Sequence, residues 1–306
     1  MQNENFNGIL TAIVTPFKLD STIDYNAFKI LIKRQIKTKI SGIVVCGTTG
    51  EASTLKIFEK LKLIKIASIE CKNKIKLITG ASSNSTSEAC MLQKKFEKLD
   101  IDATMHCVPW YNKPNQNGIY NHFKMINKTA KKPIFLYNVP NRCAVDIEPK
   151  TIIKLAKNCK NIVGIKDANT NPLRMQSYLC NLNKTRPNFK IFSGDDGFLL
   201  SLLAMGGHGL ISTTSNFAPN IFLELYNSFK LGNLKKAQNI ANKLTSLINL
   251  MFIETNPIPV KIALSAIKLI KPIFRLPIIS INNKNYKIIF KKLNNLGWLK
   301  KEKQLF

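Results

Sequence analysis

Eight short apolar runs alternate with amphipathic segments along the chain, and this alternation constrains the fold more than any other feature. Apolar strands that alternate with helices are typical of a parallel sheet covered by helices. Eight such units predict an α/β protein, a (β/α)8 TIM barrel, rather than an open sheet. The predicted strands are Ile9–Val14, Ile43–Cys46, Ile75–Thr79, Ala103–Val108, Pro133–Val139, Ile162–Lys166, Phe189–Ser193 and Gly209–Ser212.

The segments between these runs carry signals that mark the starts of helices. Asp24 precedes apolar residues at helical spacing and is predicted to cap a helix. Ser85 and Glu88 have the spacing of a capping box. Pro149 and Pro172 stand where the prolines of a first helical turn are expected.

The strand pattern stops after about residue 215, and helical patterns follow. Gly232 and Gly297 are predicted to end two of these helices. We therefore expect a barrel catalytic domain over residues 1–218 and a C-terminal helical region over 219–306, packed on the barrel or on a partner subunit. The predicted C-terminal helices are Pro219–Leu231, Ala237–Met251, Pro257–Ile270 and Lys284–Leu296.

The chain is strongly basic, with 46 Lys and Arg against 18 Asp and Glu and a net charge of +28. Such an excess is found in proteins that bind nucleic acids. Those sites favour arginine and aromatic platforms, whereas these lysines are scattered along predicted helices. A drift in base composition therefore explains the charge better than a specific nucleic-acid partner.

Several other classes of protein are disfavoured by the composition. No apolar run approaches the ~18–20 residues that a membrane helix needs, and the start lacks the features of a secretory signal. Seven cysteines without a CxxC pattern indicate thiols in a reducing compartment, most of them buried. The three histidines show no metal-ligand spacing. We expect a cytoplasmic protein without a metal site.

Chemistry in such a barrel is expected at the carboxyl ends of the strands. Lys166 follows the apolar run 162–165, so its amine is expected in or above an apolar interior. Burial of an ammonium group is costly and lowers its pKa, which leaves a nucleophilic amine suited to Schiff-base formation with a ketone. A strand-end lysine that reaches out to solvent fits the pattern equally well.

Four sites at other strand ends accompany Lys166. Tyr137 ends the preceding predicted strand and could transfer protons or simply pack. Thr48 and Thr49 lie between two glycines, which suits a carboxylate site, a proton relay or a helix cap. Tyr111 could relay protons or pack in its loop, and Arg142 could hold a carboxylate or lie at the surface.

Three further polar residues are predicted to be structural. Asp195 and Asp196 fit helix N-cap positions, and His208 lies among glycines. The lysine, tyrosine and threonine pair together form the pattern of an aldolase pocket.

Six motifs, in order over nearly the whole chain, resemble those of the dihydrodipicolinate synthase family, which belongs to the class I pyruvate-dependent aldolases and lyases. The resemblance implies a synthase that condenses pyruvate with L-aspartate 4-semialdehyde to 4-hydroxy-tetrahydrodipicolinate, toward diaminopimelate and lysine. It also implies a homotetramer, built as a dimer of dimers, with no metal or organic cofactor. The motifs are GTTGE (47–51), YNVPNR (137–142), GIKDA (164–168), SGDD (193–196), GGHG (206–209) and NPIPVK (256–261).

The resemblance also implies roles for individual residues. Lys166 would form the Schiff base with pyruvate, and Tyr137 would be the proton donor and acceptor. Thr48 and Tyr111 would be its relay partners, with Tyr111 supplied by a neighbouring subunit. The residues implied to bind substrate are Thr49 and Ile211, which would contact pyruvate, and Arg142, which would hold the semialdehyde carboxylate.

The chain departs from the family pattern at several positions. Cys143 and Ala144 replace the usual Thr-Gly after Arg142, and alanine tolerates positive φ poorly. Residues 80–84 read GASSN instead of GTGAN. In the lysine-inhibited members a lysine site includes residues that match Asn84 and Glu88. At three other positions of that site this chain has Ile57, Lys60 and Trp110, so weak or absent lysine inhibition is expected.

Three other interpretations remain open at this point. One is a related pyruvate aldolase acting on a sugar acid, as in sialic acid lyases; these share the lysine and tyrosine but usually lack the arginine that matches Arg142. Another is a basic nucleic-acid-binding protein on a barrel scaffold. The third is a degenerate barrel kept as an interaction partner, which the intact set of candidate residues disfavours.

Overall fold

The structure, a computed structural model, describes residues 6–303. Within that range eight strands form a closed barrel, and their order around it follows their order in the chain. The predicted (β/α)8 TIM barrel is therefore confirmed. The strands are β1 Gly8–Ala12, β2 Gly42–Val45, β3 Lys76–Gly80, β4 Ala103–Cys107, β5 Ile134–Asn138, β6 Ile162–Asp167, β7 Lys190–Ser193 and β8 Gly209–Ser212.

Helices follow the strands and continue beyond the last one. None of the helices in residues 6–303 is long and apolar enough to cross a membrane. The helices are α1 Tyr25–Lys37, α2 Ile57–Cys71, α3 Thr86–Phe96, α4 Gln116–Thr129, α5 Pro140–Cys143, α6 Pro149–Asn158, α7 Pro172–Thr185, α8 Leu199–Ala204, α9 Pro219–Lys230, α10 Leu234–Met251, α11 Ile258–Ala266, α12 Asn283–Asn295 and α13 Trp298–Lys303.

The described chain divides into two compact units. The first comprises Lys76–Ile211 and the residues up to Gly8, so it carries β3 to β7 and most of β8. The second comprises Ile9–Ile75 and the chain from Ser212 onward, so it joins β1 and β2 with the C-terminal helices. The boundary between residues 218 and 219 stays a prediction.

Parallel pairing aligns the ends of the strands in the first unit. Cys107 of β4 is in register with Tyr137 of β5, and Tyr137 is in register with Lys166 of β6. Lys166 is in register with Phe192 of β7 on its other side. A Cβ atom at Gly164 would lie 2.5 Å from a ring carbon of Phe135, which explains the glycine two residues before the lysine.

In the second unit the C-terminal helices are tied to the first helix of the chain. Arg34 of α1 and Glu302 of α13 form an ion pair of 2.6 Å, and both side chains are 1% exposed. Arg34 also donates to the carbonyl oxygens of Asn216 and Phe217. These bonds fix α13, a helix that the sequence analysis did not predict.

The predicted helix boundaries have mixed outcomes. Asp24 caps α1 through a bond from the Ala27 N–H, and Pro149 and Pro172 begin α6 and α7 as predicted. The predicted helix Pro257–Ile270 ends earlier, at Ala266.

The capping box predicted for Ser85 and Glu88 is wrong. Ser85 precedes α3, but its side chain makes no capping bond. The Glu88 carboxylate instead accepts from the Ser83 hydroxyl, whose oxygen accepts from the Ser85 N–H. Ser83, two residues before Ser85, therefore makes the bond to Glu88 that the capping box would have used.

Candidate active site

Lys166 lies near the carboxyl end of β6 and is only 5% exposed. Burial lowers its pKa to about 8, against an opposing Coulombic attraction from Asp196. Among the described residues of its own unit, no carboxylate forms an ion pair with it. At pH 7 a pKa of about 8 leaves about 10% of the amine neutral, against about 0.03% for an ordinary lysine. The amine is therefore suited to nucleophilic attack.

Tyr137 lies beside this amine, as the sequence predicted. The lysine Nζ is 4.5 Å from the centre of the tyrosine ring, and Tyr137 is only 7% exposed. Since both side chains leave adjacent strands at paired positions, their proximity follows from the register. The pair brings a nucleophile and a proton-transferring group to one place.

Arg142 lies in the short helix α5 that follows β5 and is exposed. Its positive charge lowers the pKa of Lys166, as a smaller contribution than burial. An exposed guanidinium within electrostatic reach of the amine suits a substrate carboxylate.

A buried cluster of charges holds the strand ends that carry the lysine and the tyrosine. Asp167, next to Lys166, is fully buried and accepts bonds from Arg174, Tyr178 and the Asn138 amide. The Asn138 amide also donates to Asp146 at 2.7 Å. Because Asn138 follows Tyr137, the cluster fixes β5 against β6 directly beside the reactive pair. This cluster was not predicted, although a carboxylate at the end of an apolar strand was a signal for it.

Asp195 and Asp196 have different positions. The Asp195 side chain accepts from the Gly197 N–H, so its predicted capping role is confirmed. The predicted capping role of Asp196 is wrong, because Asp196 is the first residue inside the short turn that Asp195 caps. Asp196 is buried, and its charge raises the pKa of Lys166. His208 accepts from the Ile191 N–H through Nδ1, as its predicted structural role requires. Ile211 is fully buried in β8.

Tyr111 lies in the loop after β4 and is 89% exposed. Its φ of 71° is unusual for a residue other than glycine. Two bonds tie this loop to the loop after β3: the Asn84 amide donates to the Trp110 carbonyl oxygen and the Asn112 amide to the Asn84 carbonyl oxygen. The loop holds the tyrosine outward from its own unit.

In the second unit, Thr48 and Thr49 follow β2 in a tight turn. Thr49 is buried, and its hydroxyl oxygen lies 3.1 Å from that of Thr213 and accepts from the Asn256 amide at 3.0 Å. Thr48 is half-buried. A Cβ atom at Gly50 would approach the Ile13 carbonyl oxygen to 3.1 Å, which explains why glycine follows the threonines.

A second buried lysine lies beneath this turn. Lys261 is fully buried, and its Nζ donates to Glu51 at 2.6 Å and to the Thr15 carbonyl oxygen at 3.1 Å. Burial lowers its pKa to about 8. Both residues stand in motifs noted in the sequence, but their 210-residue separation left the pair unpredicted.

The candidate residues therefore fall into separate groups. Lys166, Tyr137 and Arg142 are brought together in the first unit, while Thr48 and Thr49 belong to the second. In the described part of the chain no group of three or more His, Cys, Asp or Glu side chains is arranged to hold a metal ion.

Comparison with known proteins agrees with this geometry. The pattern of the dihydrodipicolinate synthetase family matches residues 5–296. A protein of Thermodesulfovibrio yellowstonii named 4-hydroxy-tetrahydrodipicolinate synthase is 45% identical over 295 residues, which cover 96% of this chain and 100% of that protein. Similar proteins with this name are 36–45% identical over nearly the full chain. Because these relatives carry the synthase name, the alternative of an aldolase acting on a sugar acid is not favoured.

Two solved structures show the same fold. One, described as the first monomeric dihydrodipicolinate synthase variant, has a TM-score of 0.93 and 37% identity, covering 96% of this chain and 97% of that one. The other is the chloride-inhibited enzyme of Acinetobacter baumannii in complex with pyruvate, with a TM-score of 0.92, 36% identity and coverage of 96% and 99%. With a family match over most of its length and relatives of this identity, the chain belongs to the dihydrodipicolinate synthetase family.

Proposed function

We propose that this chain is a lyase of lysine biosynthesis that condenses pyruvate with L-aspartate 4-semialdehyde to give 4-hydroxy-tetrahydrodipicolinate. The names of its relatives support the reaction and its substrates. The observation that carries the mechanism is the buried amine of Lys166, with its lowered pKa, 4.5 Å from the ring of Tyr137. The proposed intermediate is an imine between this amine and pyruvate.

In this mechanism the neutral Lys166 amine attacks the ketone carbon of pyruvate, and a proton moves from nitrogen to the ketone oxygen to give a carbinolamine. Tyr137 donates a proton to the carbinolamine hydroxyl, which leaves as water, and the imine forms. Removal of a methyl proton gives an enamine, whose carbon attacks the aldehyde of the second substrate. The low exposure of both side chains keeps these proton transfers away from bulk water.

The family resemblance supports roles for the other residues. Thr48 and Tyr111 would relay protons to and from Tyr137, and Thr49 and Ile211 would contact pyruvate. Arg142 would hold the carboxylate of the semialdehyde, a role that its exposed position in α5 supports. A sugar aldehyde offers hydroxyl groups in place of that carboxylate.

We also propose a homotetramer in which Tyr111 is supplied to a neighbouring subunit. The 89% exposure of this tyrosine and the two bonds that hold its loop support a contact with a second copy. One related structure is described as a monomeric variant, so sedimentation of the purified chain is the direct test. The seven cysteines, all within the described residues, form no disulfide bond, which supports a reducing, cytoplasmic location.

Borohydride trapping tests the mechanism. Incubation with pyruvate and borohydride should leave a reduced adduct on Lys166, found by peptide mass spectrometry and absent from Lys166→Ala. Lys190→Ala is the matched control, because Lys190 is a strand lysine whose pKa is also lowered by burial; it should keep the adduct. A folded wild-type protein with no adduct would refute the imine. Product with pyruvate and N-acetylmannosamine, but not with the semialdehyde, would favour the sugar-acid alternative.

A further inference from the structure

Two buried cysteines that the proposed mechanism does not use lie against each other beside the candidate active site. The Sγ atoms of Cys107 and Cys143 are 3.4 Å apart, and the residues are 8% and 2% exposed. Cys107 ends β4 and Cys143 ends α5. We propose that this pair is an oxidation site, at which a hydroperoxide closes a disulfide bond that reversibly switches the neighbouring active site off.

The surroundings of the two sulfur atoms give them different roles. A hydrogen bond joins the two thiols, and this bond and burial keep the pKa of Cys107 high. The same bond, helped by the charge of Arg142, lowers the pKa of Cys143. Cys143 is therefore the sulfur more ready to act as a thiolate, which is the reactive form.

The oxidation balances with one molecule of peroxide. The Cys143 thiolate attacks a peroxide oxygen, the O–O bond breaks, and a sulfenic acid and one water form after proton uptake. The Cys107 sulfur then attacks the Cys143 sulfur, the S–O bond breaks, and the hydroxide leaves with the Cys107 proton as a second water. Two thiols lose two electrons in total, and the peroxide gains them.

The access of a small oxidant to the two cysteines rests on the proposed function. Cys107 is two strands from Lys166, with only Tyr137 between them in the register. The lysine charge also acts on Cys107. Since pyruvate must reach the lysine amine, a hydroperoxide smaller than pyruvate can reach the same space.

Disulfide formation would move the residues that bind substrate. A disulfide needs its sulfur atoms about 2.05 Å apart, so the two sulfur atoms must approach by more than 1 Å. Cys143 follows Arg142 in α5, while the Cys107 N–H is held by Ser82 at 2.8 Å. The displacement therefore falls largely on α5 and its arginine. A misplacement of this size can lower activity about a hundredfold.

The test exposes the purified full-length protein to hydrogen peroxide, blocks free thiols after denaturation and maps the peptides by mass spectrometry. We expect a Cys107–Cys143 disulfide, a loss of synthase activity of about a hundredfold and recovery with a thiol reductant. Cys143→Ala should lose its sensitivity to peroxide. Cys180→Ala is the matched control, because Cys180 is exposed; it should remain as sensitive as the wild type.

Each other outcome overturns the proposal. The site is refuted if the pair stays reduced while Cys180 is oxidised, or if either cysteine ends as a sulfinic acid without a disulfide. A disulfide that leaves activity unchanged refutes the switch. Disulfide mapping tests the switch without any turnover, and borohydride trapping on reduced protein tests the imine. The two experiments therefore distinguish failure of the switch from failure of the imine mechanism.

Discussion

Two lysines are buried among the described residues, and they differ in what surrounds the amine. Lys261, in the second unit, donates to the Glu51 carboxylate and to a carbonyl oxygen, and two phenylalanine rings lie 4.4 and 4.7 Å from its Nζ. Lys166, in the first unit, has no ion pair there and faces the ring of Tyr137. Burial lowers the pKa of both to about 8.

A lowered pKa alone therefore does not identify the reactive lysine. The amine of Lys261 is held by oxygen atoms that are part of the fold, so its attack on a ketone would break an ion pair in a sealed interior. The amine of Lys166 is free to form a new bond. The second unit uses a buried lysine to hold the turn after β2, and the first unit keeps one available for chemistry.

The largest expected effect comes from Lys166→Met. We expect turnover to fall by more than about a thousandfold. Because burial destabilises the charged amine more than the attraction of Asp196 stabilises it, the free energy of unfolding should rise by about 1–3 kcal/mol at pH 7. Turnover assays and urea denaturation measure the two quantities. A variant that is inactive but also less stable than the wild type would show that the amine is held by the fold after all.

For Lys261→Met we expect a lower free energy of unfolding, in contrast to Lys166→Met. Removal of one partner leaves the Glu51 carboxylate buried without its cation, which costs about 3–5 kcal/mol of stability. The double variant Lys261→Met/Glu51→Gln should recover a large part of that loss. Denaturation of the two single variants and the double variant gives the coupling energy. Coupling below about 0.5 kcal/mol would contradict the structural role of the pair.

These lysines also show what the sequence could predict. The apolar runs placed all eight strands within a few residues. The run before Lys166 fitted a buried amine and a solvent-exposed one equally well, and the structure shows the buried one. The register then placed Tyr137 beside it. These inferences depend on the local pattern and the periodicity of the fold, which a single sequence contains.

The features that the sequence did not predict depend on contacts between distant residues. Glu51 and Lys261 are 210 residues apart, and Arg34 and Glu302 are 268 apart. No local pattern joins such pairs. Helix α13 was missed for the same reason, since burial of Glu302 against Arg34 ties it down. The predicted capping box is absent because the Ser83 hydroxyl bonds to the Glu88 carboxylate. Rules that pair only Ser85 with Glu88 do not consider this neighbouring serine.

The pH dependence of stability tests the lowered pKa that the two lysines share. In each, the pKa falls from 10.5 to about 8 on folding, so between about pH 8 and 10.5 the unfolded chain binds more protons. Stability therefore rises with pH across this window, by up to about 1.4 kcal/mol per pH unit for each lysine. Lys166→Met should remove the contribution of one lysine, up to about 1.4 kcal/mol per pH unit, from that slope. Urea denaturation at several pH values measures the slope. An unchanged slope would mean that Lys166 has an ordinary pKa.

The smallest effect concerns the backbone at two turns. Glu51 and Ala144 both have left-handed φ angles, 53° and 55°, which cost a non-glycine residue about 1–2 kcal/mol. The side chain of Glu51 offsets this cost through Lys261, while the methyl group of Ala144 makes no ion pair or hydrogen bond. Ala144→Gly should therefore raise the free energy of unfolding by about 1 kcal/mol, and Glu51→Gly should lower it. Equal gains from both glycines would show that the ion pair contributes nothing, and the contrast between the two lysines would fail.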